Sequence, residues 1–241
     1  MIIELSYGRN GLPVCLPDSC DVTVIRKPKM PIIDDPGAAV FRALTDPVNA
    51  APLAALASKA SGCRSACILI CDVTRPVPNA LFLRPMIETL LGAGIPANRI
   101  DILVATGLHR PNEGAELNAL IGDSWVLDTV RVQNHFARND SDHVDLGSTR
   151  TRSTPVKLNR LFVEADLKIA TGLVEPHFMA GFSGGRKVVA PGVAHEKTIR
   201  TFHNARFIEN RASVQCNLAG NPLHEEQMEI VRMLGDVYAL N

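Results

Sequence analysis

From residue 66 onward the chain alternates short, almost wholly apolar runs with segments of helical spacing, and this alternation restricts the fold more than any other feature. ACILICD (66–72), RIDILVATG (99–107), DTVRVQNH (128–135) and the run at 167–171 read as strands. Strands this apolar have no polar face to offer water, so both faces must be covered. Between them, residues 79–91 space Leu81, Leu83, Met86, Leu90 and Leu91 for a helix, interrupted at Pro85 and stopped by Gly92 and Gly94. Further helices are expected at 113–121 and 158–164, the latter after a short strand that opens at Pro155. The pattern predicts an α/β fold: a mostly parallel, Rossmann-like sheet with helices on both faces.

Ahead of it lies a short β-rich N-terminal segment, in which MIIEL, LPVCL and DVTVI are separated by Gly, Pro or Asp. Residues 37–59 suggest two short helices broken near Asp46-Pro47. Residues 136–155, rich in Asp, Ser, Thr and Gly, form the longest connection without a periodic pattern and are expected to be a mobile loop. A chain of 241 residues is long enough to bury a core, and the expectation is one domain over 1–241.

Charge removes two partner classes. There are 25 basic and 25 acidic residues, so the basic excess that nucleic acid or an anionic membrane would select is absent. No apolar run approaches the roughly 18 residues needed to span a bilayer. MIIELSYGRNG carries Glu4 and lacks the apolar core of a signal peptide, so the expected location is the cytoplasm. Cys63, Cys67 and Cys71 lie four apart, but strand alternation would not gather them around one iron–sulfur cluster, and all six cysteines are read as free thiols.

In open parallel sheets, ligands bind beyond the carboxyl ends of the strands. Three such ends carry the chemistry here: Asp72-Val73-Thr74-Arg75-Pro76, then Thr106 to Pro111 with His109, then Thr171 to Lys187 with His177 and the glycine-rich GFSGGRK. Each residue also has a plain structural reading. Asp72 can cap a turn, Arg75 can be a loop charge, and a lone His109 or His177 can be a hydrogen-bonded structural histidine. His195 and His203, the latter in KTIRTFHNARF on an expected helix, are open in the same way. Together they favour a site, because two histidines on facing loops suit proton transfer at two faces of a substrate.

The small residues before Lys187 suit a backbone that cradles phosphate. They do not form a Walker A loop, since Arg186 precedes the lysine and Val188 follows it. Nor is there a G-x-G-x-x-G fingerprint, which disfavours NAD bound in the usual way. No His-x-x-x-His or Cys-x-x-Cys pair announces a zinc site.

DVTRP (72–76), ATGLHRP (105–111), EADLKIATGLVEPHFMAGFSGGRKVVAPG (164–192) and TFHNARF (201–207), in this order, resemble the motifs of the nickel-dependent lactate racemase family. The likeness runs from about residue 3 to the C-terminus. It implies a nickel pincer nucleotide, a pyridinium-3,5-bisthiocarboxylic acid mononucleotide gripping nickel through S, C and S. It further implies covalent attachment through Lys187, a nickel ligand at His203, an acid–base pair at His109 and His177, and a carboxylate-binding arginine at Arg75. Asp72 matches a nearby functional carboxylate. Thr74, Ser183, Gly184 and Gly185 fall in the matched motifs as cofactor contacts. A soft, sulfur-rich site suits nickel better than magnesium or calcium.

The implied reaction is racemisation or epimerisation of a 2-hydroxy acid such as lactate. One histidine takes the hydroxyl proton while hydride passes to the cofactor, so no carbanion forms at the weakly acidic α-carbon, and the return occurs on the opposite face. The implied partners are the small 2-hydroxy acid and the proteins that make the cofactor. Longer family members carry a second α/β domain as a lid, so the chain is expected to be the N-terminal cofactor-carrying domain with the lid absent. Two rival readings remain: a non-catalytic paralogue that binds a nucleotide or sugar phosphate, and an NAD-dependent dehydrogenase.

Overall fold

The computed structural model describes residues 1–8, 10–26, 28–58 and 62–241, and the chain divides into two compact units, 1–34 and 35–241. In the first, β1 (Ile2–Leu5) and β2 (Leu12–Cys15) pair antiparallel, Ile2 facing Cys15 and Leu5 facing Leu12. Gly8 and Gly11 turn the chain at φ of 56° and 73°, a region that side chains disfavour. DVTVI, expected to be a strand, belongs to none: this sheet stops at two strands, and Val24 and Ile25 are exposed. A β-favouring run needs a partner edge before its backbone groups are satisfied.

The second unit opens with the two short helices expected, α1 (Pro36–Thr45) and α2 (Leu53–Leu56); Asp35 caps α1 by accepting from the Ala38 amide. Lys59, the expected end of that region, lies outside the described residues. There follow β3 (Ala66–Cys71), α3 (Asn79–Gly92), β4 (Ile100–Ala105), α4 (Gly114–Ile121), α5 (Ser124–Thr129) and β5 (Arg131–Asn134). Next come β6 (His143–Ser148), β7 (Pro155–Asn159), α6 (Arg160–Glu164), β8 (Leu167–Thr171), β9 (Pro176–His177) and β10 (Gly181–Phe182). The last elements are α7 (Arg186–Val189), α8 (Glu196–Phe202), α9 (Ala205–Ile208), α10 (Pro222–Arg232) and β11 (Tyr238–Leu240).

Five of these strands form a parallel sheet in the order β5-β4-β3-β8-β11, which counted along the chain reads 3-2-1-4-5. This is the doubly wound order. Apolar side chains alternate across it. Ile68 and Ile70 of β3 pack with Leu83, Met86, Ile87 and Leu90 of α3 on one face; Leu69 packs with Phe162, Val189 and Phe202 on the other. Each such fully buried side chain contributes about 1.5–3 kcal/mol. Helices therefore cover both faces, as the apolar runs require. The chain winds outward through β4 and β5 and then returns to the opposite side of β3. The order thus reverses between β3 and β8, and a crevice opens at their carboxyl ends.

Three local expectations change. Pro85 does not interrupt α3: the helix gives up one backbone hydrogen bond there, while its buried face holds it to the sheet. Residues 136–155 are not an irregular loop, because β6 pairs antiparallel with β7, His143 facing Asn159. Their polar residues are used locally, Asp145 accepting from the Gly147 amide at 2.8 Å and the Thr149 hydroxyl donating to buried Glu226 at 2.5 Å. The helix expected at 158–164 starts at Arg160, since Leu158 and Asn159 finish β7 and the Asn159 side chain then caps α6 by accepting from the Leu161 amide.

Candidate active site

Where β3 ends, Asp72 is buried, and its Oδ1 accepts from the amide and hydroxyl of Thr74 at 3.1 and 2.5 Å. Its Oδ2 lies 2.6 Å from Nδ1 of His109, which follows β4. A carboxylate only accepts, so in the neutral ring the proton sits on Nδ1 and Nε2 keeps its lone pair. The His109 side chain is 60% exposed, so that nitrogen belongs to an accessible ring. Gly107 makes the turn before it at φ 55°, its amide donating to Gly192 O at 2.9 Å.

A cavity of about 490 Å³ lies over this carboxyl edge. It is lined by Asp72, Thr74 and Arg75 after β3, His109 after β4, Ser183 and Gly184 after β10, Lys187 on α7, and His203 at the end of α8. The volume is that of an ordinary small-molecule site. Of the residues singled out from the sequence, His177 and Gly185 do not line it. Gly185 lines a neighbouring cavity of about 410 Å³ that shares Ser183 and Gly184, and its amide donates to Asn241 Oδ1 at 2.9 Å. His177, on β9, is buried, its ring stacked on Phe178 at a centroid distance of 4.9 Å. Its Nδ1 accepts from the amides of Met179 and Ala180 at 3.4 and 3.2 Å.

The cleft is rich in cations. Burial, then the charges of Arg75 and Arg186, bring the Lys187 amine down to about 8. Burial, then Lys187 and Arg75, take His177 down to about 4, so its ring is neutral at pH 7. Burial also lowers His203. Its Nδ1–H donates to Ile199 O at 2.9 Å, which leaves Nε2 as a bare nitrogen. Arg75 is held loosely, its Nε 4.0 Å from Glu175 Oε1, and so keeps donors for an anion. Perturbed Lys187 and His203 lining one cleft, with perturbed His177 buried next to Lys187 and Arg75, are the usual mark of a working site.

α8 spans the distance from the His195 N-cap, where Nδ1 accepts from the Lys197 amide at 3.1 Å, to His203 at its C-cap. Arg200 and Asn204 line the cleft beside His203 and were not singled out from the sequence. Arg200 stands three residues before His203, one helical turn, and that spacing was the available signal. Gly192 was missed as well: a Cβ there would collide with the Val188 carbonyl oxygen, so the cleft wall admits only glycine. Among the described residues, no group of three or more His, Cys, Asp or Glu side chains could hold a metal ion. Cys63 and Cys67 lie in the two different apolar clusters. No helix among the described residues is long and apolar enough to cross a membrane.

The profile of the lactate racemase N-terminal domain matches residues 7–215. Lactate racemase of Thermoanaerobacterium thermosaccharolyticum is 34% identical over 243 residues, which cover 99% of this chain and 55% of that protein. Lactate racemase of Lactiplantibacillus plantarum is 35% identical over 202 residues, 84% of this chain and 46% of the relative. The solved lactate racemase apoprotein from T. thermosaccharolyticum superposes with a TM-score of 0.80 at 33% identity, covering 97% of this chain and 54% of that one. A crystal structure of a Thermotoga maritima protein shares the fold at a TM-score of 0.61 and 24% identity over 76% of this chain and 47% of that one. The chain spans about half the length of the relatives it matches.

Proposed function

Because the chain belongs to the lactate racemase N-terminal domain family, we propose that it is the cofactor-carrying domain, 1–241, of a cytoplasmic 2-hydroxy acid racemase or epimerase acting on lactate or a related acid. The observation that carries this reading is one cleft holding an imidazole base on a buried carboxylate, a lysine with a lowered pKa and a histidine with one bare nitrogen. The lid that completes the cleft in longer members is, on this reading, outside the 241 residues.

The residues fit a nickel pincer nucleotide. His203 would add one nitrogen to nickel. Lys187, partly deprotonated near its pKa of about 8, has the nucleophilic amine that attachment to a sulfur arm needs. Thr74, Ser183, Gly184 and Gly185 would hold the nucleotide. When bound, the group supplies a reversible acceptor for the α-hydrogen and its electron pair. The proteins that make this cofactor are then necessary partners.

The chain's own side chains do the rest. Arg75 would take the substrate carboxylate, having no tight partner of its own. His109 takes the hydroxyl proton at Nε2, and Asp72 stabilises the imidazolium so formed. His177 serves the opposite face. A phosphate-binding paralogue would use the glycine loop and Lys187 but would leave the Asp72–His109 pair and His203 without a task. In an NAD-dependent dehydrogenase the turn after β3 would carry the glycine fingerprint, and here it reads Asp72-Val73-Thr74-Arg75-Pro76.

The test is racemisation of enantiopure lactate by the natural-length protein produced together with the cofactor-making proteins. Nickel bound in stoichiometric amount and loss of optical activity that requires His109 are the expected outcomes. Nickel-free protein that nonetheless reduces NAD would replace this reading with the dehydrogenase.

A further inference from the structure

The two histidines proposed as an acid–base pair are not held alike. His109 gives its Nδ1–H to Asp72, so Nε2 is bare and can take a proton. At His177 the backbone sets the opposite arrangement: the amides of Met179 and Ala180 both donate to Nδ1, at 3.4 and 3.2 Å. Two donors facing one ring nitrogen require a lone pair there, so the proton of the neutral ring sits on Nε2. We infer that the resting site holds a single competent base, His109, and that the turn joining β9 to β10 keeps His177 in a tautomer that donates a hydrogen bond but accepts no proton. This rests on the proposed function, which it deepens.

The consequence follows from proton bookkeeping. When a substrate hydroxyl gives its proton to His109, the O–H bond breaks, an N–H bond forms at Nε2, and the electron pair stays on oxygen. The imidazolium then lies against the Asp72 carboxylate. His177 cannot do the same. Its Nε2 already carries hydrogen, and a proton on Nδ1 would face two amide N–H groups. Nor can the neutral ring give up its Nε2 proton without becoming an imidazolate. Burial beside Lys187 and Arg75 opposes a charged ring independently. For His177 to act as the second base, the Met179 and Ala180 amides must first let Nδ1 go. The resting enzyme is therefore set for the enantiomer whose hydroxyl faces His109, and the turn is a positioning device that governs the other direction.

The tautomers can be read without cofactor or turnover. The 241-residue chain, labelled with ¹⁵N, is studied by long-range ¹⁵N–¹H correlation of its imidazole rings at pH 7 to 8. His109→Gln and His177→Gln variants assign the resonances. Should His177→Gln fail to fold, contacts from the Phe178 ring, stacked at 4.9 Å, assign the same signals. The expected result is a bare Nδ1 and protonated Nε2 at His177, with the reverse at His109. A protonated Nδ1 at His177, or an averaged pair of tautomers there, overturns the inference. Either result leaves the racemisation assay untouched, so failure of this inference and failure of the proposed function are separable.

Discussion

Five of the seven histidines fall into two groups, one of three and one of two, and the groups differ in one physical respect. His135, His143 and His195 are all buried, with neighbouring rings edge to face at 5.2 and 4.8 Å. His135 gives Nε2–H to Ala194 O and receives from Asn159, His143 gives Nδ1–H to Asn139 O, and His195 caps α8 with Asp140 3.1 Å from Nε2. His109 and His203, at the carboxyl edge, each have one nitrogen tied and line an open cavity. A histidine closed on all sides contributes packing and hydrogen bonds; one with a fixed proton and an open nitrogen contributes chemistry. His177 stands between the groups, buried like the first and beside the cations of the second.

That comparison breaks if the two groups respond alike to mutation. In the cofactor-loaded protein, His109→Gln should lower kcat by about 10²–10⁴-fold, while His135→Gln should leave kcat within a few-fold of wild type. Steady-state kinetics on both enantiomers decides this, and a loss of the first size at His135 would erase the distinction. In turn, His135→Gln should cost about 1–3 kcal/mol of folding stability, because Ala194 O and Asn159 lose a fitted partner. Urea denaturation measures it.

Lys187 sharpens the same contrast from the other side, since a working group is held at a cost to stability. Its folded pKa of about 8 lies below the ordinary 10.5, so burial of the charged amine is unfavourable at neutral pH and is relieved between about 8 and 10.5 as the amine loses its proton. Lys187→Met should therefore stabilise the unloaded chain by about 1–3 kcal/mol at pH 7, and the gain should shrink as pH rises from about 8 to 10.5. Thermal melts across that range check the sign, and a destabilised variant at pH 7 would contradict it.

The smallest expected effect is an acid slope. Burial, ahead of neighbouring charges, lowers His135 from 6.5 to about 4. A depressed folded pKa means the unfolded chain binds more protons, so stability is full above about 6.5 and is lost as pH falls toward 4. Between pH 7 and 5 the wild type should lose more stability than His135→Gln. Parallel slopes would mean that the buried cluster does not contribute.

Much of the fold was legible because β3, β4 and β8 are mostly apolar on both faces, and only a sheet covered on both faces accepts such strands. Residues 136–155 were misread because their Asp, Thr and Gly residues look like loop residues until Thr149 and Asp145 are seen to satisfy partners within a hairpin. Asp72, Arg75, His109, Lys187 and His203 could be picked out because each follows a strand or sits in a matched motif, and the fold gathers them around one cavity. The state of His177 could not be read, since its partners are backbone amides that any sequence would supply. Residue spacing alone did not separate His195 from His203, eight residues apart at opposite ends of one short helix; only the TFHNARF motif did.

The most direct test of the account is peptide-resolved mass spectrometry of wild type and Lys187→Arg, each made at natural length together with the cofactor-making proteins. Arginine keeps the charge but lacks the amine that forms the link. The account predicts a nucleotide-sized adduct on the Lys187 peptide of wild type, none on the folded variant, and loss of most turnover with it. The same adduct on both proteins, or none on a wild type that still racemises, would contradict it.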